Sequence, residues 1–130
     1  MAKVTREQAE KEITSWLDKK KVFDSQREEN KASYELLVDA MMEGYLTLDS
    51  TTFEFKHKLI EPLTETFDLT YKSRMNDKMV KPHLNGVKPT DAEGRLLAYG
   101  AALTTMPKAV LEGLDSSDKK IMIAILVFFL

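Results

Sequence analysis

The stretch that decides the fold is Ile121-Met122-Ile123-Ala124-Ile125-Leu126-Val127-Phe128-Phe129-Leu130, ten apolar residues in a row. A helix that is apolar on every face has to be covered on every side, so this run predicts a helix in a folded core. Ten helical residues rise only about 15 Å, half of the apolar thickness of a bilayer, so the run is too short to span a membrane. Because the run closes the sequence, we expect part of its surface to face another subunit or a client.

Length and composition are those of an ordinary globular protein. The 130 residues include 43% hydrophobic and 31% charged side chains, with a net charge of -2. This balance predicts a single domain, residues 1–130, and points to no polyanionic partner. Cysteine is absent, which excludes disulfides, thiolate nucleophiles and cysteine-based zinc sites. The charged start has no apolar signal segment, and we expect a cytoplasmic protein.

Two helices are predicted in residues 1–48. The segment Thr5-Arg6-Glu7-Gln8 has the form of a capping box, and apolar residues follow at spacings of three and four. Ser25-Gln26-Arg27-Glu28 repeats the capping signature before a broader apolar face that Gly44 ends. We therefore expect an N-terminal helical pair.

Alternating apolar residues predict an antiparallel β-hairpin next. The residues that share one face are Phe53, Phe55, His57 and Leu59 in the first strand, and Phe67, Leu69 and Tyr71 in the second. This period of two is typical of half-exposed strands. The break between them, Glu61 to Thr66, is too short for a parallel crossover, so the strands must run antiparallel.

Four helices are predicted after the hairpin. The first covers Lys72 to Val80, and the second begins at the capping box Thr90-Asp91-Ala92-Glu93. The third begins at Pro107, and the last begins at Asp115 or Ser116 and runs to the end of the sequence. The predicted fold class is therefore mainly α with a small antiparallel hairpin, an α+β fold. In this fold the helical pair of residues 1–48 precedes a unit of hairpin and helices in residues 50–130.

The residues capable of chemistry are few and scattered. His57 lies on an apolar strand face, and we interpret it as a partly buried sheet residue with a hydrogen-bond partner; His83 is interpreted as a solvated turn residue. Asp115 and Asp118 come nearest to a metal site, but capping of the last helix explains the pair. The sequence has no nucleophile elbow and no glycine-rich phosphate loop. We predict no enzyme activity, no metal and no cofactor.

One basic patch gives an alternative function. Its cations are Lys72, Arg74, Lys78, Lys81 and Lys88, interrupted only by Asp77, and Tyr71 beside it could stack on a base. This pattern favours a small nucleic-acid-binding regulatory protein. The slightly acidic chain weakens the long-range field that such binding needs, so we interpret the patch as a solvated helix face and predict no nucleic-acid partner.

The apolar end of the sequence is the predicted contact surface. The residues expected to bind a partner are Met122, Ile125, Leu126, Phe128 and Phe129. Six internal methionines support an adaptable surface, because flexible thioethers fit varied partners: Met41, Met42, Met75, Met79, Met106 and Met122. We expect the same surface to allow self-association.

The order of these segments resembles the tail assembly chaperones of long-tailed bacteriophages. The segments that carry the resemblance are Phe55 to Leu63, Phe67 to Arg74, Leu103 to Leu111, Leu114 to Asp118 and the closing Phe128-Phe129. The resemblance covers about residues 50–130. It implies a non-enzymatic protein of the host cytoplasm that coats the tape measure protein, and a frameshift that extends some copies. A virion structural or completion protein remains the other phage alternative.

Overall fold

The computed structural model describes residues 3–130, which form seven α-helices, one 3-10 helix and a three-stranded antiparallel sheet. The elements are α1 (Arg6–Lys20), α2 (Asp24–Glu29), α3 (Lys31–Met42), β1 (Leu46–Leu48), β2 (Phe55–Lys58), β3 (Asp68–Tyr71), α4 (Asp77–Val80), the 3-10 helix (Lys81–Leu84), α5 (Ala92–Thr104), α6 (Lys108–Glu112) and α7 (Ser116–Leu126). The predicted α+β class, mainly helical with a small antiparallel sheet, is confirmed.

The first helix starts where its cap predicts. The Thr5 hydroxyl accepts a hydrogen bond from the Gln8 amide at 3.1 Å, which satisfies one free N–H of the first turn. The Gln8 side chain donates to Glu12 instead of returning to Thr5, so only half of the capping box forms. Lys21 ends α1 in the left-handed conformation, with φ of 58°.

The second predicted helix is two helices. Ser25 lies inside α2, whose N-cap residue Phe23 makes no side-chain capping bond. Asn30 separates α2 from α3, because its backbone leaves helical geometry and its side chain donates to the Gln26 carbonyl at 2.9 Å. Such local bonds compete with helix continuation. Gly44 follows the end of α3 with φ of 86°, a conformation that favours glycine.

The predicted hairpin is confirmed, and a third strand joins it. β2 pairs with β3 in the register His57 to Leu69, and β1 pairs with the other edge of β2 in the register Leu46 to His57. The sheet order is β1-β2-β3. β1 has only three residues, of which Leu46 alone is fully buried, so it has too little alternation to be predicted.

Two later helices start at different residues from those predicted. Asp91, not Thr90, caps α5 and accepts from the Gly94 amide at 2.9 Å. The helix predicted from Lys72 begins only after Asn76, whose side chain caps the short α4. A proline then follows in the 3-10 helix, which limits α4 to one turn.

The last helix is shorter than predicted. α7 begins after its cap Asp115 and ends at Leu126, and a turn follows in which the Phe128 amide bonds to the Ile125 carbonyl. α7 packs against α3 and α5, and side chains from both halves of the chain meet in one core. From residue 3 to residue 130, the helices are too short or too polar to cross a membrane.

Candidate functional site

Three polar side chains meet inside the core. His57 from β2 and Asp118 from α7 have no exposed surface, and Tyr71 from β3 is 1% exposed. His57 Nδ1 lies 2.9 Å from the Tyr71 hydroxyl, and His57 Nε2 lies 2.9 Å from Asp118 Oδ1. The prediction that His57 is a sheet residue with a hydrogen-bond partner is confirmed, and its burial is complete.

The hydrogen bonds of this triad fix the proton positions. A carboxylate can only accept, so we assign the ring proton of His57 to Nε2, which donates to Asp118, and the Tyr71 hydroxyl then donates to Nδ1. Asp118 also accepts from the amides of Ile60 at 2.8 Å and Glu61 at 3.0 Å. Among the described residues, every buried side-chain nitrogen or oxygen has a partner.

Asp118 is therefore not a helix cap, contrary to its predicted role. Its carboxylate faces the sheet and ties α7 to β2 and to the chain that follows β2. Asp115 alone caps the helix, by accepting from the Ser117 amide at 3.0 Å. An imidazole beside a carboxylate can move protons in an enzyme only where substrate reaches it. Because all three triad side chains are buried, this group positions α7 on the sheet.

The triad predicts a dependence of stability on pH. Burial lowers the pKa of His57 below its ordinary 6.5, outweighing the opposing effect of Asp118, and burial raises the pKa of Tyr71 well above 10. Near pH 6.5 the His57 ring therefore binds a proton in the unfolded chain but not in the folded protein. We expect the melting temperature to be highest above about pH 7 and to fall as the pH drops through about 6.5 towards 5.5. A His83→Gln variant should keep this decline, and a flat profile in the unmodified protein would contradict the assignment.

The residues predicted to bind a partner lie mainly inside the protein. Met122, Ile125, Leu126 and Phe128 are each at most 3% exposed, and Phe129 is half-buried. The Phe128 ring packs edge-on against Trp16, with centroids 5.9 Å apart. The run is covered by the protein's own helices α1, α3 and α5, so its first four predicted contacts belong to the core and not to an accessible surface.

Phe129 is also engaged by its own chain. The Lys20 ammonium lies 3.4 Å from the centroid of the Phe129 ring and 5.6 Å from that of Trp16. Burial, with a smaller contribution from Arg74, lowers the pKa of Lys20 to about 8. Within the closing run, the exposed large side chain is Leu130, at 58%.

The predicted nucleic-acid residues remain at the surface, but the predicted stacking residue does not. Arg74, Lys78 and Lys81 are exposed and Lys72 is half-buried. Tyr71 is part of the buried triad, so it offers no face to a base. The patch therefore supplies charge without the aromatic platform that single-stranded nucleic acid uses.

Two apolar clefts flank α5, and sequence patterns did not reveal either. The first, here called the methionine cleft, has a volume of about 400 Å³ and is lined by Lys72, Met79, His83, Ala101, Ala102, Thr105, Met106 and Pro107. The second, here called the leucine cleft, has a volume of about 490 Å³ and is lined by Pro89, Ala92, Arg95, Leu96, Tyr99 and Leu130. Both volumes fall in the range of ligand-binding pockets.

Two exposed phenylalanines were also missed. Phe23 is 77% exposed at the start of α2, and Phe67 is 63% exposed although its alternation with Leu69 predicted burial. β3 begins at Asp68, so Phe67 precedes the regular strand and the period of two no longer fixes its side.

Metal binding and similarity to known proteins add no further site. Within residues 3–130, no group of three or more His, Cys, Asp or Glu side chains could hold a metal ion. Comparison with protein-family models, curated proteins and solved structures gave no match for this chain. A function for the protein therefore rests on its own residues and their geometry.

Proposed function

We propose that this protein is a non-enzymatic tail assembly chaperone of a long-tailed bacteriophage. In this role it binds the apolar helical tape measure protein in the host cytoplasm and keeps it soluble until the tail tube forms around it. The family resemblance of residues 50–130 supports this proposal. The structural observation that carries it is the pair of open apolar clefts beside α5.

The clefts suit a helical client better than a small reactive substrate. A single exposed apolar residue is ordinary on a soluble protein, so Phe23 and Phe67 alone carry little weight. A concave apolar surface can instead receive the apolar face of an amphipathic helix, where buried area supplies affinity and rim charges supply register. The side chains of His57 and Asp118 have no exposed surface, so neither contacts a molecule bound in one of the clefts.

Self-association belongs to the same proposal. The apolar surface that holds a client can also contact a second copy when no client is present. Several copies along one long client would then shield successive segments of it. This multiplicity lets individually weak contacts hold an extended chain.

The proposal is tested by mixing the purified protein with a tape measure protein diluted from denaturant and measuring the client left in solution after centrifugation. We expect the client to stay soluble, and the effect to persist at high salt because apolar burial carries it. A Lys78→Glu/Lys81→Glu variant is the matched control and should hold the client equally well. Precipitation of the client in the presence of excess protein would contradict the proposal.

A nucleic-acid-binding role is the second candidate, favoured by one observation. Three predicted cations, Arg74, Lys78 and Lys81, are exposed close together in sequence around a single acidic residue. If this role were correct, the same double variant would abolish the activity, and binding would weaken steeply with salt. A virion structural protein would instead remain in finished particles, which mass spectrometry of purified virions detects.

A further inference from the structure

One lysine amine is held against the aromatic side of the core. Lys20 lies in the last turn of α1, and its Nζ is 3.4 Å from the centroid of the Phe129 ring and 5.6 Å from that of Trp16. The side chain is half-buried, so the nitrogen has lost part of its water but still meets solvent. The neighbouring Lys19 is exposed, with its Nζ 5.7 Å from the centroid of the Phe53 ring. Two adjacent lysines therefore have different surroundings, and one serves as a reference for the other.

The charge of Lys20 is not balanced by an acid. Between residue 3 and residue 130, the cations that form ion pairs with carboxylates are Lys3, Arg6, Arg27 and His57. Lys20 has no carboxylate within salt-bridge distance in that range, and the charged group that acts on it is another cation, Arg74. The faces of aromatic rings hold an ammonium in place without cancelling its charge. Lys20 therefore differs from a lysine held in a structural ion pair.

These surroundings favour the neutral, nucleophilic form of the Lys20 amine. Burial removes water from the ammonium, and a neighbouring cation disfavours a second positive charge. The two effects lower the pKa of Lys20 from its ordinary 10.5 to about 8, and burial is the larger cause. At pH 7.5 about a quarter of such an amine is neutral, against about one part in a thousand at the ordinary value. The neutral form carries the lone pair that attacks an electrophile.

Arg74 selects the kind of electrophile. Its guanidinium is exposed and, unlike those of Arg6 and Arg27, forms no ion pair within the described part of the chain. A free guanidinium binds phosphate oxygens through two parallel hydrogen bonds. An acylating agent with a phosphate leaving group thus meets a cation for its phosphate near an amine for its acyl carbon. A phosphate bound there cancels part of the effect of Arg74 on Lys20, but the effect of burial remains.

We propose that Lys20 is a site of acylation by acyl phosphates, and that Arg74 positions the phosphate. The lone pair of the neutral Lys20 Nζ attacks the carbonyl carbon, and the amide C–N bond forms. The bond from that carbon to the bridging oxygen breaks, its electron pair leaves with inorganic phosphate, and the proton lost by the nitrogen passes to the phosphate. The product is a neutral amide that no longer makes a cation–π contact with Phe129. This modification does not depend on the chaperone function.

The test treats the purified full chain with acetyl phosphate at neutral pH and follows acetylation by mass spectrometry. Cleavage after Glu12 and Glu28 releases one peptide that contains Lys19, Lys20 and Lys21, so its fragment ions compare the three amines directly. We expect Lys20 to be acetylated about tenfold faster, or more, than either neighbour, because its amine is far more often neutral. Equal rates at the three lysines of the folded protein would overturn the proposal.

Unfolding is the control for the folded environment. In guanidinium chloride the contacts of Lys20 with the aromatic rings and with Arg74 are lost, so the three adjacent lysines should react at similar rates. An advantage of Lys20 that persists there would come from the local sequence and would contradict the assignment. In the folded protein the rate at Lys20 should level off as the pH rises past about 8, because the amine is then mostly neutral. A rate that keeps rising about tenfold per pH unit up to about pH 10 would also contradict it.

Two reagents and two variants isolate the role of Arg74. Arg74→Gln should slow the acetylation of Lys20 by acetyl phosphate about fivefold or more, and should slow its reaction with the uncharged reagent p-nitrophenyl acetate much less. Lys78→Gln removes an exposed cation of the same segment and is the matched control, which should leave both rates unchanged. Equal slowing with both reagents would show that Arg74 acts on the amine alone and would overturn the assignment to acyl phosphates. Circular dichroism reports that each variant is folded.

Discussion

Replacing Asp118 with alanine is expected to lower the free energy of unfolding by about 3 kcal/mol or more, because several donors lose their acceptor and each buried donor left unsatisfied costs about 1–3 kcal/mol. The Asp118 carboxylate accepts from the His57 ring and from the amides of Ile60 and Glu61. Alanine would leave the fully buried ring N–H of His57 and the partly buried amides of Ile60 and Glu61 without this acceptor. Urea denaturation followed by circular dichroism measures the loss, which is a large share of a domain's usual stability.

Asp115→Ala is the matched control for this prediction. Asp115 belongs to the same helix but accepts one amide at a partly exposed end, so its loss should cost about 1 kcal/mol. Asp118→Asn tests the charge separately: an amide keeps the shape but turns two donors toward a site that holds only donors, so it should also destabilise. Equal, small losses for Asp115→Ala and Asp118→Ala would show that both act as caps and would contradict the triad.

The contrast between these two aspartates shows what the sequence could predict. Their spacing identified the start of α7 correctly, because capping is a local interaction within one helical turn. The partner of Asp118 is His57, 61 residues away in sequence, and no local pattern connects them. The alternation in β2 did place His57 on the buried face. The position of His57 was therefore predictable from the sequence, and its pairing with Asp118 was not.

The same difference between local and long-range interactions explains why the residues predicted to bind a partner lie mainly in the core. The composition of the closing run predicts a buried helix, and in α7 the side chains of Ile121, Met122 and residues 124–126 are buried while Ile123 is half-buried. Which protein surface covers the run depends on how α1, α3 and α5 pack around it, and that arrangement is not encoded in the run. The clefts beside α5 likewise form from segments distant in sequence, so Met79 and Met106 could be grouped only once the fold was known.

Phe128→Ala is expected to lower the free energy of unfolding by about 3–5 kcal/mol, the usual cost of removing a buried aromatic side chain. Phe128 is 3% exposed and packs edge-on against Trp16, so its removal leaves a cavity beside the only tryptophan. The fluorescence of Trp16 in a urea titration therefore reports both the folded environment and the midpoint of unfolding. We expect a lower midpoint and altered emission of the folded state.

Phe129→Ala is the comparison that separates core from interface. Phe129 is half-buried beneath Lys20 and also packs on Trp16, with ring centroids 5.8 Å apart, so its truncation should cost less than that of Phe128, about 1–2 kcal/mol. If both residues served mainly as client contacts, as their sequence predicts, each variant would keep its stability and lose client binding. A stable Phe128→Ala protein that no longer holds a client would place the contact surface in the apolar run of residues 121–130. An unstable one would assign Phe128 to the core and leave client recognition to the clefts beside α5.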